Sequence, residues 1–525
     1  MVSPEDSYVQ TSECFTTPPF PVIITKTKHK PEGDHLRGFQ KIFMAALLLL
    51  CLPVLACAQE ARDISGPELV TESSGIPSIS ALFDGDRTSG RKTGDGAYLT
   101  LECQEGFGSA YLIFDREYGA FTVTDEAAGE TKTVGEENFL HTFLDLKSIF
   151  GYCPQTVTFR FENGPAPLLE LTMFTQGQVP QWVQQWQSPV ENGADLVLFS
   201  THADDEQLFF AGVLPYYAGE RGDRVQVVYM TNHRNITKDG HLRCHEALDG
   251  LWAVGVRNYP VFGAFADYYC KSLKDAVALY RYMGVEQEEM LGYVVEQLRR
   301  FKPLVAVGHD LNGEYGHGGH MLYADLLTQA VELATNPESY PESAQEYGTW
   351  DTPKVYLHLY EENQITMDWD KPLEHFDGMT AFEVTKNKGF PCHKSQTQDF
   401  AWYMSGIDRA ADIQKYSPCL YGLYRTTVGP DKRKNDFFEN LTTYAQQEEQ
   451  ARLEQERLEE EKRLEQQRLE QERLARENTT EEPTASPTSQ PIDSNARPLL
   501  PKIALPITLL LALAAIFLGI GRKKK

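Results

Sequence analysis

The chain has 525 residues, so two or more folded units are expected. Hydrophobic residues make up 41% of it, which is typical of soluble globular proteins rather than of polytopic membrane proteins. The formal net charge of -26 argues against a nucleic-acid partner, because the phosphates would be repelled.

An apolar segment near the start of the chain predicts export. Residues 42–57 are almost entirely apolar, follow the basic residues Arg37 and Lys41, and end in the small-residue pattern Ala56-Cys-Ala58. This pattern is typical of a secretory signal, so we expect an upstream extension and signal peptide over residues 1–58. Lipid modification of Cys57 and a buried core helix are weaker alternatives.

Six cysteines follow that segment, an even number that favours disulfides in an exported chain. Proximity in the sequence favours three pairs: Cys103–Cys153, Cys244–Cys270 and Cys392–Cys419. Unpaired buried thiols are the alternative.

Residues 60–180 hold short apolar runs separated by Gly, Asp and Thr clusters, such as 97–101, 156–161 and 168–174. Short strands between turns predict an antiparallel β-sandwich. The stretch Ala81-Leu-Phe-Asp-Gly-Asp-Arg-Thr-Ser89 resembles the D-G-D-x-T segment of discoidin-like, galactose-binding-like sandwiches. Modules of that kind bind carbohydrate or act as spacers, and both roles stay open here.

From residue 190 to about 440, predicted strands alternate with predicted helices. The strands are expected at 195–200, 225–230, 304–308 and 354–360, and the helices at 207–219, 242–254, 286–301 and 319–333. This alternation predicts an α/β fold with a mainly parallel, Rossmann-like sheet and helices on both faces. Ligands of such folds collect at the carboxyl ends of the strands.

The last 80 residues predict a membrane attachment. Residues 444–477 are rich in Glu, Gln, Arg and Leu and predict a charged helical stalk, for which a coiled coil with other copies is a secondary alternative. Residues 478–502 predict a disordered linker. Residues 503–521 are long and apolar enough for a transmembrane helix, and the basic tail 522–525 places its end in the cytoplasm. We therefore expect a single-pass protein of the cell membrane, in type I orientation, with an extracellular catalytic domain.

Two motifs follow predicted strand ends. The first is Ser200-Thr-His-Ala-Asp-Asp-Glu206, and the second is Gly313-Glu-Tyr-Gly-His-Gly-Gly-His320. Imidazole and carboxylate groups on such loops suit a catalytic divalent cation. Taken singly, each motif has a simpler explanation: a helix-capping Asp204 or Asp205, or two surface histidines. Because both loops leave strands of one parallel sheet, we expect one shared metal site.

Together the two motifs resemble the N-acetylglucosaminyl-phosphatidylinositol de-N-acetylase (LmbE-like) family over residues 194–400. The stretch Arg243-Cys-His-Glu-Ala247 resembles the R-x-x-E-A helix of the family, and His393-Lys-Ser-Gln396 resembles its late H-x-S-Q segment. One departure is Ala203, where the family usually has proline.

The resemblance implies a role for each matching position. His202, Asp205 and His320 would hold Zn²⁺, and Asp204 would act as the general base towards water. His317 would polarise the acetyl carbonyl or protonate the leaving amine, and Arg243 would orient the substrate or the loops. Five other histidines, at positions 233, 241, 245, 309 and 358, are expected to be ordinary surface or packed residues.

The function that follows is a zinc-dependent hydrolase that removes N-acetyl groups from N-acetylglucosamine-type glycans or glycoconjugates at the cell surface. Two alternatives remain from the sequence. One is a related zinc amidase that cuts another amide, and the other is a non-enzymatic glycan-binding surface protein.

Overall fold

A computed structural model describes residues 59–191, 193–233 and 240–479. The chain divides into two compact units, Met1–Ala445 and Gln446–Lys525. The predicted segment 1–58, linker residues 480–502, the span 503–521 and the tail 522–525 lie outside the described residues.

The first eight strands form two antiparallel sheets. They are β1 Val70–Ser74, β2 Ala97–Glu102, β3 Ser109–Phe114, β4 Phe121–Asp125, β5 Glu130–Val134, β6 His141–Leu144, β7 Thr156–Phe161 and β8 Leu168–Phe174. The strand orders are β1-β2-β7-β4-β5 and β6-β3-β8. Leu99 and Phe159 of the first sheet share one buried cluster with Leu112 and Leu171 of the second, so the two sheets have a common core. A single turn of helix, α1 (Leu146–Phe150), precedes β7.

The next seven strands form one sheet on which the site is built. They are β9 Leu196–Ser200, β10 Val225–Thr231, β11 Val261–Phe265, β12 Val305–Gly308, β13 Lys354–His358, β14 Gln364–Thr366 and β15 Leu420–Thr426. The order is β11-β10-β9-β12-β13-β15-β14. The first five strands in this order, from β11 to β13, pair in parallel with their neighbours among these five. Strand β15 pairs antiparallel with both β13 and β14. Every residue of β9, β10, β12 and β13 is buried, as expected for strands covered on both faces. The fold is therefore mixed α/β.

Eight helices accompany this sheet among the described residues up to 445. They are α2 Asp205–Leu208, α3 Gly240–Ala253, α4 Leu273–Tyr282, α5 Gln287–Phe301, α6 Gly318–Leu333, α7 Pro341–Tyr347, α8 Ala381–Val384 and α9 Ala401–Met404.

The helix predicted at 207–219 is wrong as a single element, because α2 ends after one turn and a wider helical turn covers Pro215–Glu220. Gly212 lies between them with φ 92°, and a Cβ there would come within 2.4 Å of the Trp369 ring. This close approach breaks the helix.

Helix α3 connects the antiparallel sheets to the α/β sheet through a buried polar contact, here called the interface cluster (Arg87, Tyr111, His141, His245 and Asp249). Arg87 donates two hydrogen bonds to the Asp249 carboxylate, at 2.8 and 3.2 Å. His141 lies between the hydroxyl of Tyr111 at 2.8 Å and the ring of His245 at 2.7 Å. The antiparallel sheets are therefore tied to the helix that also carries Arg243.

The three predicted disulfides are wrong. In the part of the chain that the structure describes, none of the six cysteines is bonded to another. One sulfur of each predicted pair faces a different acceptor: Cys153 faces the Gln176 side chain, Cys270 the carbonyl of Tyr268, and Cys392 the carbonyl of Lys388.

The predicted single-pass membrane location is also corrected. Across residues 59–191, 193–233 and 240–479, no helix combines the length and the apolar character that crossing a bilayer requires. The apolar segments 42–57 and 503–521, on which the prediction was based, are not among these residues.

Helix α10 (Tyr444–Thr479) continues into the second unit and consists mainly of charged residues. Arginines bind glutamates three or four positions away, as Arg452 binds Glu449 and Glu456 at 2.7 Å each. Its leucines at 453, 458, 464, 469 and 474 are exposed. Nothing in this helix supports the coiled-coil alternative.

Candidate metal centre

Two loops bring the predicted site residues together at the carboxyl edge of the sheet. Strands β9 and β12 are parallel neighbours, so the chain segments that leave them emerge side by side. The first segment carries His202, Asp204 and Asp205, and the second leads through His317 to His320 in the first turn of α6. All five side chains are buried.

Three ligand atoms form a compact triangle, here called the metal triad (His202, Asp205 and His320). His202 Nδ1 lies 3.0 Å from Asp205 Oδ2 and 3.1 Å from His320 Nε2, and the last two atoms are 3.2 Å apart. Zinc bonds of about 2.0–2.1 Å in tetrahedral geometry separate neighbouring ligand atoms by about 3.3 Å. The donor set therefore fits a zinc-sized cation, with one tetrahedral position left for another ligand.

Each imidazole of the metal triad has a carboxylate on its far side. His202 Nε2 lies 3.2 Å from Asp267 Oδ1, and His320 Nδ1 lies 2.7 Å from Glu314 Oε2. Each of these carboxylates accepts the hydrogen of the nitrogen it faces, so the opposite nitrogen of each ring, which lies beside Asp205 Oδ2, would bind the cation in place of a proton. Such carboxylate–imidazole pairs fix the tautomer and orientation of metal-ligating histidines.

Glu314 gathers two further imidazoles. Its carboxylate accepts from Nδ1 of His309 at 2.9 Å and from Nδ1 of His358 at 2.6 Å. The second ring nitrogen of His358 faces the Ser417 carbonyl at 2.9 Å, so this ring donates through both nitrogens. Glu314 is thus a fully buried carboxylate that holds three histidines in place.

His309 completes a second group of potential ligands with Asp205 and His320. Its Nε2, however, accepts the backbone N–H of Thr201 at 3.0 Å, while its Nδ1 donates to Glu314. Both nitrogens of a neutral ring are therefore used, and a bond to a cation would break one of these contacts. These contacts favour the metal triad over the group that contains His309.

The charges around the metal triad are strongly coupled. Burial opposes a proton on His202, but the carboxylates of Asp267 and Asp205 outweigh it and raise the pKa of this ring to about 10. Burial likewise opposes a proton on His320, but Asp205 and Glu314 raise its pKa to about 9. Burial disfavours the charge of Asp205, yet His320 and His202 hold the pKa of this carboxyl well below its usual range. The carboxylates therefore stabilise positive charge at these two rings, and a bound cation would supply that charge in place of the two protons.

Asp204 lies beside the metal triad in an unusual backbone conformation, with φ 138°. Such backbone strain is found mainly where the surrounding structure enforces it. Here the backbone N–H of Asp204 donates to Glu206 at 2.8 Å, and Glu206 is itself bound to the buried His393 at 2.7 Å. Burial raises the pKa of Asp204 to about 7, although the charge of Arg243 opposes that rise.

Arg243 lies against the same loop. Its Nη2 donates to the carbonyl of Ala203 at 2.7 Å and lies 3.3 Å from Asp204 Oδ1. Its Nη1 is 3.5 Å from Asp267 Oδ2. Arg243 therefore contacts the carboxylates of Asp204 and Asp267 and fixes the loop that carries Asp204.

His317 is the N-cap of α6, and its Nδ1 accepts the backbone N–H of Gly319 at 3.0 Å. Burial and the neighbouring rings of His202 and His320 lower the pKa of His317 to about 2. In the neutral ring the hydrogen is then on Nε2. His317 can therefore offer one N–H to a group bound beside the metal triad.

Several residues of the centre were not predicted from the sequence. Asp267 follows β11 in the stretch Ala266-Asp-Tyr-Tyr269, which matches neither motif. His233, His309 and His358 were treated as ordinary, and all three are buried around the site. Their positions gave a usable signal, because each lies at or just beyond the carboxyl end of a parallel strand: β10, β12 and β13.

Comparisons with known proteins find relatives over the part of the chain that contains both motifs. The family model described as PIG-L, GlcNAc-PI de-N-acetylase, matches residues 197–331. A 1D-myo-inositol 2-acetamido-2-deoxy-alpha-D-glucopyranoside deacetylase of Rhodococcus erythropolis is 25% identical over 292 residues, which are 47% of this chain and 97% of that protein. A deacetylase of the same description from Catenulispora acidiphila is 26% identical over 188 residues, which are 32% of this chain and 57% of that protein.

Among solved structures, the N,N'-diacetylchitobiose deacetylase of Pyrococcus horikoshii aligns with 45% of this chain and 86% of its own. The identity is 13% and the TM-score 0.28, so this likeness does not bear on the function.

Proposed function

Because the chain carries a PIG-L (LmbE-like) deacetylase domain at residues 197–331, we propose that it is a zinc-dependent N-deacetylase of N-acetylglucosamine-type glycans or glycoconjugates. The observation that carries the proposal is the metal triad, with three donor atoms 3.0–3.2 Å apart beside a buried Asp204.

His202, Asp205 and His320 are the residues that would hold the ion. They offer two imidazole nitrogens, which would give up their protons to the ion, and one carboxylate oxygen, a donor set that catalytic zinc commonly takes. A zinc ion supplies Lewis acidity there, which makes water more acidic and a carbonyl carbon more electrophilic.

Asp204 would act as the general base. A carboxyl group with a pKa near 7 can both take and return a proton at neutral pH, which general acid–base catalysis requires. In the hydrolysis, a water oxygen bonds to the acetyl carbon and the C–N bond of the amide breaks. The proton that Asp204 removes from water ends on the departing nitrogen, so the products are acetate and a free amine.

His317 would contact the acetyl group. Its Nε2–H would donate to the carbonyl oxygen, where negative charge develops during attack by water. Arg243 would position Asp204 rather than touch the reacting atoms, because its contacts are with the Ala203 carbonyl and with carboxylates.

The test is acetate release by the zinc-loaded full chain from N-acetylglucosamine conjugates, compared with N-acetylated amino acids as non-sugar amides. The proposal predicts release from the sugar conjugates in preference to the others. Preferential release from the non-sugar amides would favour the alternative of a related amidase. Sugar binding without any release would favour a glycan-binding protein.

We also propose the finer division of the chain, with a galactose-binding-like sandwich at 60–180 and the hydrolase domain at 190–440. The common core of the two antiparallel sheets supports it. Limited proteolysis should then cut between Gly177 and Val190 and leave two protected fragments. Protection of that segment together with its flanks would count against the division.

A further inference from the structure

Aromatic rings that the proposed chemistry does not use extend from the metal centre to the surface. Tyr269 is 61% exposed, and its ring centroid lies 5.1 Å from that of His317 in a perpendicular arrangement. Its neighbour in sequence, Tyr268, instead packs against Tyr280 in the core. The exposed ring is thus placed on the histidine that we assign to the acetyl group.

A second series of rings leaves His317 through Tyr315. The Tyr315 centroid lies 5.5 Å from that of His317 and 5.9 Å from that of Phe400. Phe400 is followed at 6.5 Å by Trp402, which is 54% exposed. Trp402 is therefore three ring contacts away from the proposed acetyl position, whereas Tyr269 is one.

Exposed aromatic rings of this kind suit a sugar chain. The C–H face of a pyranose is flat and apolar and can lie on an aromatic ring, while its hydroxyl groups stay in water. Aromatic side chains also provide a large contact area with few rotatable bonds, so little entropy is lost when a ligand binds. Binding sites generally combine such apolar surfaces with a few polar groups that set orientation, here His317 and the metal triad.

We propose that Tyr269 and Trp402 are two stacking subsites for sugar rings of one glycan chain. Tyr269 contacts the N-acetylated ring whose acetyl group lies at His317, and Trp402 contacts a further ring of the same chain. The substrate is then an oligomeric or polymeric N-acetylated glycan rather than a monosaccharide. This inference rests on the proposed function for the position of the acetyl group.

The experiment measures binding and turnover separately in the zinc-loaded full chain, with N-acetylglucosamine and its β-1,4-linked trimer as probes. Isothermal titration should show tighter binding of the trimer. Trp402→Ala should reduce the preference for the trimer about tenfold, a loss expected for one aromatic contact, and should raise KM for the trimer rather than lower kcat. Tyr269→Ala should weaken binding of both sugars.

Matched controls are Trp182→Ala and Tyr282→Ala, since Trp182 is 53% exposed on the antiparallel sheets and Tyr282 is 85% exposed at the end of α4. Trp402→Phe and Tyr269→Phe keep a ring at each position and should restore most of the affinity. Melting temperatures identify any variant that is merely unfolded.

The possible results separate this inference from the proposed function. Equal binding of the two probes, no binding of either, or a trimer preference unchanged in Trp402→Ala would overturn the subsites. If acetate is still released in those cases, the proposed function stands. A trimer preference that depends on Trp402, without acetate release, would instead support the subsites and refute the deacetylase.

Discussion

The metal centre and the interface cluster both bury histidines, but in opposite electrostatic surroundings. Asp267 and Asp205 raise the pKa of His202 to about 10 against the effect of burial. At the interface cluster, burial, Arg87 and His245 together hold the pKa of His141 well below its usual range. Burial is common to both regions, so the charges that act on each ring make the difference: carboxylates at His202, and Arg87 and His245 at His141.

The comparison separates two uses of the same side chain. In the interface cluster, His141 connects Tyr111 with His245 and helps to attach the antiparallel sheets to α3. In the metal centre, each ligand imidazole has one nitrogen on a carboxylate and the other directed at shared ligand atoms. Only the second arrangement suits a cation, so substitutions in the two regions should have different consequences.

The largest difference is expected from removing one imidazole in each region. His320→Ala removes a donor from the metal triad, so zinc binding and acetate release should both fall below detection. The matched control His245→Asn lies in the interface cluster and should keep one zinc per chain. Metal analysis after dialysis checks both variants. Equal zinc loss in the two would remove the distinction between the clusters.

The second expected effect concerns the base. Asp204→Asn keeps the shape of the side chain but cannot take a proton, so kcat should fall by about 10²–10⁴-fold while zinc stays bound. Asp249→Asn, in the interface cluster, is the control and should keep most of the activity. Steady-state kinetics and metal content are measured on the same samples. Full activity in Asp204→Asn would refute its assignment as the base.

A smaller effect is expected at Glu314. In Glu314→Gln, one oxygen of the carboxylate becomes an amide NH₂ that cannot accept the hydrogens of three imidazoles, so His320 is no longer held with Nε2 towards Asp205. Zinc affinity should fall about 10–100-fold, as is typical when the hydrogen-bond partner of a ligand is lost. Competition with a chromogenic chelator measures it. An unchanged affinity would mean that the three histidines position themselves without Glu314.

The smallest predicted effect is on stability. It tests whether the pKa shift of His141 in the interface cluster is opposite in direction to that of His202 in the metal centre. The pKa of His141 is lower in the folded chain than its usual value of 6.5. Below about pH 6.5 the unfolded chain therefore binds more protons than the folded chain does. The free energy of unfolding decreases as the pH is lowered through this range.

His141→Gln removes this titration while keeping a polar side chain. Between pH 6.5 and about 5, the loss of unfolding free energy should be smaller in the variant, by up to about 1.4 kcal/mol per pH unit. Urea unfolding of both proteins at several pH values provides the comparison. Parallel pH profiles would show that His141 does not govern the acid sensitivity.

The parts predictable from the sequence were those with a local pattern. The α/β alternation predicted β9, β10, β12 and β13 to within a residue or two, and the two motifs contain every member of the metal triad. Glu314 lies within the second motif, but its three imidazole contacts come from chain segments up to 44 residues away. Asp267 carries no motif and reaches His202 only because β11 joins the same sheet.

Other predictions failed because a tertiary contact decided the outcome. The helix expected at 207–219 is interrupted where Gly212 packs against Trp369, a residue more than 150 positions away. The proposed disulfides used proximity in sequence, whereas the direction of each sulfur depends on packing, as for Cys392 and the carbonyl of Lys388. The single-turn α2 and the thiols could not have been inferred from neighbouring residues alone.

The central claim is that two segments distant in sequence hold one divalent cation between them. Crystals of the full chain soaked with zinc, measured at the zinc absorption edge, test it most directly. The account predicts one strong anomalous peak about 2.0–2.2 Å from His202 Nδ1, Asp205 Oδ2 and His320 Nε2. A fully occupied zinc bound elsewhere in the chain, with no peak between these three atoms, would contradict it.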